Sequence, residues 1–286
     1  MNRFPSVHKK RQNDVELFQL NTMVMFWIGF FPPLFAAFFA ILVAIIFHQD
    51  KITNYVWICG RALLPSLSRI INLTLEGLIW QLCIFFHIPF RLLELSVGWV
   101  RYGRLQNIKN EWNLWYTMHR HLYFIIGVVE LILMTGLSAV GEKEHGVVHV
   151  CFFYSFGITA MLFFISNTAC HAQSLYFLNP YGKISYYVKI AISLTYFLSA
   201  PVIVTFYALY WKGCMTWAYE MFALVEYIDV FLVIFYHGCC VYWDIQHKNN
   251  TFCFQVVFSV RYNKPIASDN INKIQLKVND FNELIN

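Results

Sequence analysis

Charged residues are scarce in this chain, and the motifs of common soluble enzymes are missing from it. Only 13% of its 286 residues are Asp, Glu, Lys or Arg, whereas a soluble domain of this size carries about 25%. The sequence has no glycine-rich phosphate loop, no zinc-type spacing of cysteine and histidine, and no serine-nucleophile elbow. These absences disfavour a nucleotide-dependent or zinc-dependent soluble enzyme. The sequence predicts no metal and no cofactor.

Long hydrophobic runs occupy most of the chain instead. Hydrophobic residues make up 58% of the sequence and aromatic residues 19%. A helix needs about 20 mostly apolar residues to cross a bilayer, and several runs reach or approach that length. We therefore predict an all-α integral membrane protein, a six-transmembrane helical bundle without internal repeats. The predicted spans are 23–47, 77–100, 122–140, 147–166, 190–210 and 221–243.

The distribution of lysine and arginine predicts the orientation of this bundle. Fifteen of the 21 lysines and arginines flank one side of the predicted spans, five flank the other side, and Arg91 lies inside a span. Because cytoplasmic flanks carry the excess of positive charge, both termini are predicted to be cytoplasmic. The chain then has a cytoplasmic tail at 1–22, a membrane domain at 23–244 with a luminal loop at 48–76, and a cytoplasmic tail at 245–286. The net charge of +5 follows from this topology, and no dense basic patch indicates a nucleic-acid partner.

The predicted luminal loop is unusually apolar for a connection. Its stretch from about 55 to 75 favours a helix with a break at Pro65, which should lie on the membrane surface or cover the mouth of the bundle. Within it, Asn72-Leu73-Thr74 is an N-glycosylation sequon on the predicted luminal side. We predict Asn72 as the glycosylation site.

Topology separates the eight cysteines. Cys59 and Cys214 fall in the first and last predicted luminal loops, and the other six do not. Because secretory lumens are oxidising, two exposed thiols there tend to pair. We predict a Cys59–Cys214 disulfide that pins the first luminal loop over the last span. The alternative is two unpaired loop cysteines.

Ionisable residues inside the predicted spans indicate a functional interior. A charged side chain at the bilayer centre costs roughly 2.5–3.5 kcal/mol even on insertion scales, so an anchor helix would not carry several. One arginine cannot hold all the interior acids in ionised form, which favours a polar cavity open to the lumen. The alternative is a closed ion-pair network that fixes helix packing. The interior groups are His87, Arg91, Glu94, Glu130, His149, Glu226, Asp229 and His237.

These residue types define the chemistry of such a cavity. A histidine with a carboxylate can act as general acid and base on a hydroxyl nucleophile, and His149, Glu226 and Glu130 are the candidate catalytic residues. An arginine can hold a phosphate through two hydrogen bonds, so Arg91, with His87, is the candidate substrate-binding group. His237 lies 11 residues beyond Glu226, about 16 Å along a helix, and is predicted to be a packing partner nearer the cytoplasm. The same residues could form a proton relay in a transporter.

Short motifs follow one another in a fixed order between roughly Tyr55 and Asp244. They are Cys59-Gly60, Leu64-Pro65-Ser66-Leu67-Ser68, Trp80, Cys83-Ile84, His87, Arg91, Val128-Val129-Glu130, Ser138, Glu142, His149, Cys214, Glu226-Tyr227, His237 and Trp243-Asp244. In their order and spacing they resemble the post-GPI-attachment-to-proteins factor 2 family, within the wider FRAG, DRAM and Sfk superfamily. Asp229 and Val233 are among the departures from the family pattern, which favours a divergent paralogue.

The resemblance implies a multi-pass membrane protein of the Golgi apparatus or endoplasmic reticulum that remodels the lipid of GPI anchors. Its implied activity is fatty-acid reacylation of lyso-GPI in the luminal leaflet, either as the acyltransferase or as an accessory factor. The implied partners are a GPI lipid or GPI-anchored proteins, membrane lipids and an acyl donor lipid. The alternatives are a non-enzymatic trafficking or autophagy modulator and a proton-coupled small-molecule transporter; the missing internal repeat disfavours common transporter folds.

Overall fold

The structure is a computed structural model that describes residues 14–53, 59, 63–106, 113–178, 180–246, 254–261 and 273–280. It divides the chain into two compact units. One comprises Phe26–Ile245 and is helical, and the other comprises Met1–Met25 with Gln246–Asn286 and contains a small sheet.

The described residues form long helices joined by short connections. A 3-10 helix, Leu175–Leu178, precedes α7. The α-helices are α1 (Thr22–Phe47), α2 (Gln49–Thr53), α3 (Leu67–Ile70), α4 (Thr74–Arg104), α5 (Asn113–Ala139), α6 (Glu142–Gln173), α7 (Pro180–Gly213) and α8 (Thr216–Gln246). The strands are β1 (Asp14–Asn21), β2 (Phe254–Arg261) and β3 (Lys273–Asp280).

Five helices of the described part are long and apolar enough to cross a membrane: Val24–Phe47, Thr74–Arg104, Leu114–Ala139, Glu142–Gln173 and Pro180–Gly213. They match the first five predicted spans to within one residue at each end that falls short, so the chain is a helical multi-pass membrane protein. Helix α8 covers the predicted sixth span with 31 residues. A sixth crossing and the orientation of the termini stay predictions.

Successive long helices run in alternate directions, and this gathers their ends into two groups. At the end predicted to be luminal, Trp80 near the start of α4 donates to Ser138 near the end of α5 at 3.2 Å. At the opposite end, Gln106 after α4 pairs with Ser174 after α6 in an isolated β-bridge. The short connections therefore force neighbouring helices to pack against one another.

Helix α1 packs through a row of small residues. Ala36, Ala37, Ala40 and Ala44 are fully buried and share a core cluster with Trp80 and other residues of α3 and α4. Small side chains allow helix backbones to approach closely inside a membrane, where apolar burial alone drives little association.

A second core cluster lies in the half of the bundle away from the predicted lumen. There Phe164 of α6 stacks on Tyr236 of α8 with ring centroids 3.8 Å apart. Tyr102 donates to the side-chain oxygen of Asn167 at 2.6 Å, which satisfies two buried polar groups at once. The aromatic composition of the sequence thus supplies the interior packing.

The prediction of helical structure is confirmed for Phe26–Ile245 but does not describe the second unit. There β2 pairs with both β1 and β3 in an antiparallel three-stranded sheet of order β1-β2-β3. Apolar and polar residues alternate in β2 and β3, the period of a half-buried strand. This sheet belongs to the segments predicted as cytoplasmic tails, and their side of the membrane stays a prediction.

The connection between α1 and α4 covers the bundle end, as its apolar sequence predicted. Its residues 54–58 and 60–62, which include part of the predicted helical stretch, lie outside the described residues. The described remainder forms the single-turn helix α3 after Pro65 and packs onto α6 and α8.

Candidate functional site

Two adjoining cavities lie beneath this connection in the described part of the helical unit. One has a volume of about 260 Å³ and is mostly apolar, and the other has a volume of about 1030 Å³ and is richer in polar groups. Ser68, His149, Phe153 and Tyr154 line both cavities. We refer to them as the apolar cavity and the polar cavity.

His149 of α6 lines both cavities, and one of its ring nitrogens is hydrogen-bonded. The side chain is buried, with an exposed fraction of 3%. Nδ1 lies 2.6 Å from the carbonyl oxygen of Val140, which can only accept, so Nδ1 carries the proton. Nε2 is buried and has no hydrogen-bond partner within the described residues. The neutral ring therefore keeps a lone pair on Nε2, the form that a general base requires.

Glu226 of α8 lines the apolar cavity but is fully occupied by α3. Its carboxylate accepts the backbone N–H of Leu67 at 2.9 Å and that of Ser68 at 3.4 Å. It also accepts the Ser68 hydroxyl at 2.8 Å. The first amides of a helix have no partner within the helix, so Glu226 satisfies two donors of α3 and fixes this turn to α8. We assign Glu226 a positioning role.

Two tyrosines of α8 hold the residues before α3. The Tyr219 hydroxyl donates to Ser66 Oγ at 2.8 Å and accepts the Ser66 N–H at 3.2 Å. Ser66 Oγ also caps α3 by accepting the Arg69 N–H at 3.3 Å. Tyr227 donates to the carbonyl oxygen of Pro65. Burial raises the pKa of the Tyr219 phenol, so the hydroxyl stays protonated and keeps donating.

The predicted disulfide is confirmed. Cys59 and Cys214 are bonded, with their Cα atoms 4.8 Å apart. The bond ties the connection to the turn between α7 and α8. Close by, the N–H of Leu63 donates to the Glu220 carboxylate at 3.0 Å. The connection between α1 and α4 is thus held over the cavities by a covalent bond and by hydrogen bonds to α8.

The polar cavity is lined by basic side chains. Arg69 is buried, lies 4.6 Å from the centre of the Tyr219 ring and is 3.6 Å from the Glu142 carboxylate. Lys51 and Lys143 also line this cavity. With three basic side chains and one acidic side chain, the lining carries a net positive charge, which suits an anion such as a phosphate.

The apolar cavity extends from His149 into the bundle between α6, α7 and α8. Along α6 its wall runs from His149 to Met161, and 12 residues of helix rise about 18 Å. Besides Glu226, the acid Asp229 lines this cavity and accepts the Ser199 hydroxyl at 2.5 Å, so that carboxyl is engaged with α7. The remaining wall below His149 is largely aliphatic and aromatic.

The other predicted interior residues form a separate cluster. Glu130 of α5 pairs with His237 of α8 at 3.1 Å, and Arg91 pairs with Glu94 at 2.9 Å. Arg91 also lies 5.1 Å from the centre of the Phe163 ring. His87 is 2.6 Å from the carbonyl oxygen of Gly29 in α1. These contacts connect α1, α4, α5, α6 and α8.

The structure therefore brings together part of the predicted site. Of the candidate catalytic residues, His149 and Glu226 line the same cavity, and Glu130 lies with His237 instead. Glu130, Arg91 and His87 are not among the residues that line either cavity. The described part of the helical unit contains cavities and, apart from them, a network of paired charges, while the opening of a cavity to the lumen stays a prediction.

Sequence reasoning assigned no role to Ser68 or Arg69. Ser68 is the last residue of the Leu-Pro-Ser-Leu-Ser run that carried the family resemblance, and Arg69, which follows it, is a cation in an otherwise apolar stretch. That combination was the available signal for a site. Lys51 and Lys143 gave no local signal, because lysines near helix ends are common.

Asn72 lies at the rim of the polar cavity. It is half-buried, and its side-chain nitrogen donates to the carbonyl oxygen of Ser68 at 3.0 Å. Glycosylation at Asn72 stays a prediction. In the described part of the chain, no three His, Cys, Asp or Glu side chains cluster as metal ligands.

Fold and site together define a class: a multi-pass helical membrane protein whose buried histidine separates an apolar cavity from a cationic one. The chain belongs to the Frag1/DRAM/Sfk1/Cwh43P N-terminal domain family, whose model matches residues 21–248. The predicted resemblance is thereby confirmed. The matched region contains both cavities and the disulfide.

Curated relatives cover most of the chain. A Caenorhabditis briggsae protein named Post-GPI attachment to proteins factor 2 is 27% identical over 79% of this chain and 85% of its own length. The Caenorhabditis elegans protein of the same name is 26% identical over 76% of this chain and 82% of its own. A Xenopus tropicalis protein named Acyltransferase PGAP2 is 27% identical over 77% and 86%. No solved structure matches the chain.

Proposed function

We propose that this chain remodels the lipid of GPI anchors in the secretory pathway by transferring a fatty acyl chain to lyso-GPI in the luminal leaflet. The carrying observation is His149, which lines both the apolar and the polar cavity and whose buried Nε2 has no hydrogen-bond partner among the residues that the structure describes. An acyl lipid has the matching composition, with hydrocarbon on one side of its ester and a polar headgroup on the other. The names of the relatives, which include post-GPI attachment and acyltransferase, support this choice.

We assign the two parts of the lipid to the two cavities by the residues that line them. The apolar cavity takes the acyl chain, and the polar cavity takes the phosphate-bearing headgroup beside Arg69, Lys51 and Lys143. Arg91 was the phosphate ligand expected from sequence, but it is paired with Glu94 and lines neither cavity. We therefore assign Arg91, together with His87 and Glu130, to helix packing.

The proposed step uses His149 Nε2 as general base. Nε2 takes the proton from the free hydroxyl of the lyso lipid as its oxygen forms a bond to the carbonyl carbon of an acyl ester or thioester donor. The bond from that carbon to the donor's alcohol or thiol breaks, and the leaving group takes the proton from the imidazolium. The Val140 carbonyl stabilises the imidazolium and holds the ring in place through Nδ1.

Cells deleted for this chain and complemented with variants test the proposal. His149→Gln removes the base, whereas His145→Gln makes the same change at an exposed position four residues earlier on α6. The lipid of GPI-anchored proteins is measured by mass spectrometry, with membrane expression and thermal unfolding of each variant recorded. We expect wild type and His145→Gln to restore anchors with two chains, and a folded His149→Gln to lower restoration by roughly 10²-fold or more.

Two results would overturn the proposal at different levels. Normal two-chain anchors in the deleted cells would remove GPI remodelling as the function. Full restoration by His149→Gln would remove His149 as the base while leaving the pathway assignment in place.

A further inference from the structure

One glycine that lines the apolar cavity has room beside it for a larger side chain. Gly157 of α6 lines this cavity, and a Cβ atom added there would meet only the Tyr196 hydroxyl oxygen, at 3.6 Å. That is an ordinary van der Waals contact. By contrast, a Cβ at Gly136 would stand 2.6 Å from the Phe152 ring. The space beside Gly157 is therefore left open to the cavity and not filled by a neighbouring side chain.

The cavity also reaches the lipid-facing surface between α6 and α7. Ile158 and Val204 line it, yet they are 60% and 47% exposed. These residues lie on facing helices of a membrane bundle, so their exposed surface meets hydrocarbon. A chain can enter sideways from the bilayer between them.

The dimensions fit one chain of a membrane lipid. The cavity wall on α6 runs about 18 Å from His149 to Met161. One leaflet of a hydrocarbon core about 30 Å thick is about 15 Å deep. A single extended acyl chain with its carbonyl at His149 would therefore lie along this wall with its methyl end near Met161.

We propose that Gly157 sets the length of acyl chain that the cavity accepts, and that the chain enters the cavity from the bilayer between α6 and α7. Gly157 lies eight residues beyond His149, about 12 Å along α6. A long chain passes this position and a short chain ends before it. The reaction that uses the bound chain rests on the proposed function, but binding of the chain does not.

The test uses the purified full-length protein in detergent and three probes: octanoyl, palmitoyl and stearoyl lysophosphatidylinositol. Binding is measured by native mass spectrometry on wild type, Gly157→Ala and Gly157→Leu. Ser155→Leu is the matched control, because it adds the same side chain on the exposed face of α6. Thermal unfolding shows whether each variant is folded.

We expect Gly157→Leu to weaken stearoyl and palmitoyl binding by roughly tenfold to a hundredfold, since the methylenes it excludes lose their apolar contacts. Octanoyl binding should stay within about twofold of wild type, because its chain ends before Gly157. The smaller Gly157→Ala, whose Cβ fits beside Tyr196, should show the same order of preference with a few-fold effect. Ser155→Leu should bind all three probes as wild type does.

Equal loss for all three probes, or no loss in folded Gly157→Leu and Gly157→Ala, would overturn the length assignment. The binding measurement tests the acyl-chain site independently of the proposed function. Chain selection by the purified protein, combined with normal anchors in deleted cells, would retain the binding site and reject GPI remodelling.

Discussion

At the scale of single residues, His149 and Glu226 represent two opposite ways of burying a polar group. Glu226 accepts three hydrogen bonds from Leu67 and Ser68. His149 satisfies Nδ1 with Val140 and leaves Nε2 without a partner in the described structure. A buried polar atom without a partner costs free energy, and such groups concentrate at functional sites. This contrast supports the proposed roles, Glu226 as a positioning residue and His149 as the general base.

Glu226→Gln should destabilise the protein although it preserves side-chain size. The amide group of glutamine brings hydrogens toward donors that need an acceptor, so at least one N–H of α3 loses its partner. We expect a loss of about 1–3 kcal/mol in the free energy of unfolding. Thermal unfolding in detergent measures it as a lower Tm.

Glu220→Gln is the matched control for this change. Glu220 also accepts a backbone N–H of the same connection, that of Leu63, but at the exposed surface. Water can replace that bond, so the Tm should change little. An equal loss of stability in both variants would contradict the positioning role of Glu226.

At the scale of elements, the single turn α3 depends on its neighbours. A helix of four residues is unstable in isolation, because the conformational entropy lost in forming the first turn outweighs the free energy that its hydrogen bonds supply. Ser66, Glu226 and Tyr219 supply its caps, and the connection then turns sharply into α4. Gly77 in the first turn of α4 lies directly against the carbonyl oxygen of Ile71, where a Cβ atom would collide. The glycine is required by this close approach of backbone to backbone.

Gly77→Ala should therefore destabilise the connection between α1 and α4. The collision involves backbone atoms that cannot rotate away, and we expect a loss of roughly 1–3 kcal/mol. Gly146→Ala is the opposite case, because no atom lies within 4 Å of its added Cβ. There the better helix propensity of alanine should leave stability unchanged or raise it by up to about 1 kcal/mol. Thermal unfolding of the pair tests this, and a Gly77→Ala variant as stable as Gly146→Ala would refute it.

At the scale of the whole molecule, alternation of helix direction decides which residues can meet. The ends of α1, α5 and α7 and the starts of α4, α6 and α8 lie together at the predicted luminal end. The contacts His48–Glu76, Arg69–Glu142 and Cys59–Cys214 all join elements there. Both cavities lie at or below this end, which suits a lipid presented in the luminal leaflet.

The orientation can be tested with an epitope at the C-terminus. If both termini are cytoplasmic, protease added to intact microsomes should digest the epitope while a soluble luminal marker stays protected. The physical reason is the excess of lysine and arginine on that side of the predicted spans. Protection of the epitope together with the marker would reverse the orientation and place the cavities toward the cytoplasm.

Local features of the sequence determined the parts of this protein that depend on local physics. Runs of apolar residues predicted the membrane helices, because a span must bury its backbone hydrogen bonds within itself. Predicted topology limited the luminal cysteines to Cys59 and Cys214, and these are bonded. The sheet was missed, because the tails are polar overall and the alternation that predicts strands is short.

Only the tertiary structure decided which ionisable residues line the cavities and which form the paired network. Glu130 and Glu226 looked equivalent in sequence, since each is an acid inside an apolar helix. Packing paired Glu130 with His237 and brought Glu226 to the amides of α3, because partners more than 100 residues away are set by helix contacts. The position of His149 between the two cavities, the space beside Gly157 and the basic lining of the polar cavity likewise depend on which helices pack together. Sequence determined what each helix is, and packing determined which side chains face the site.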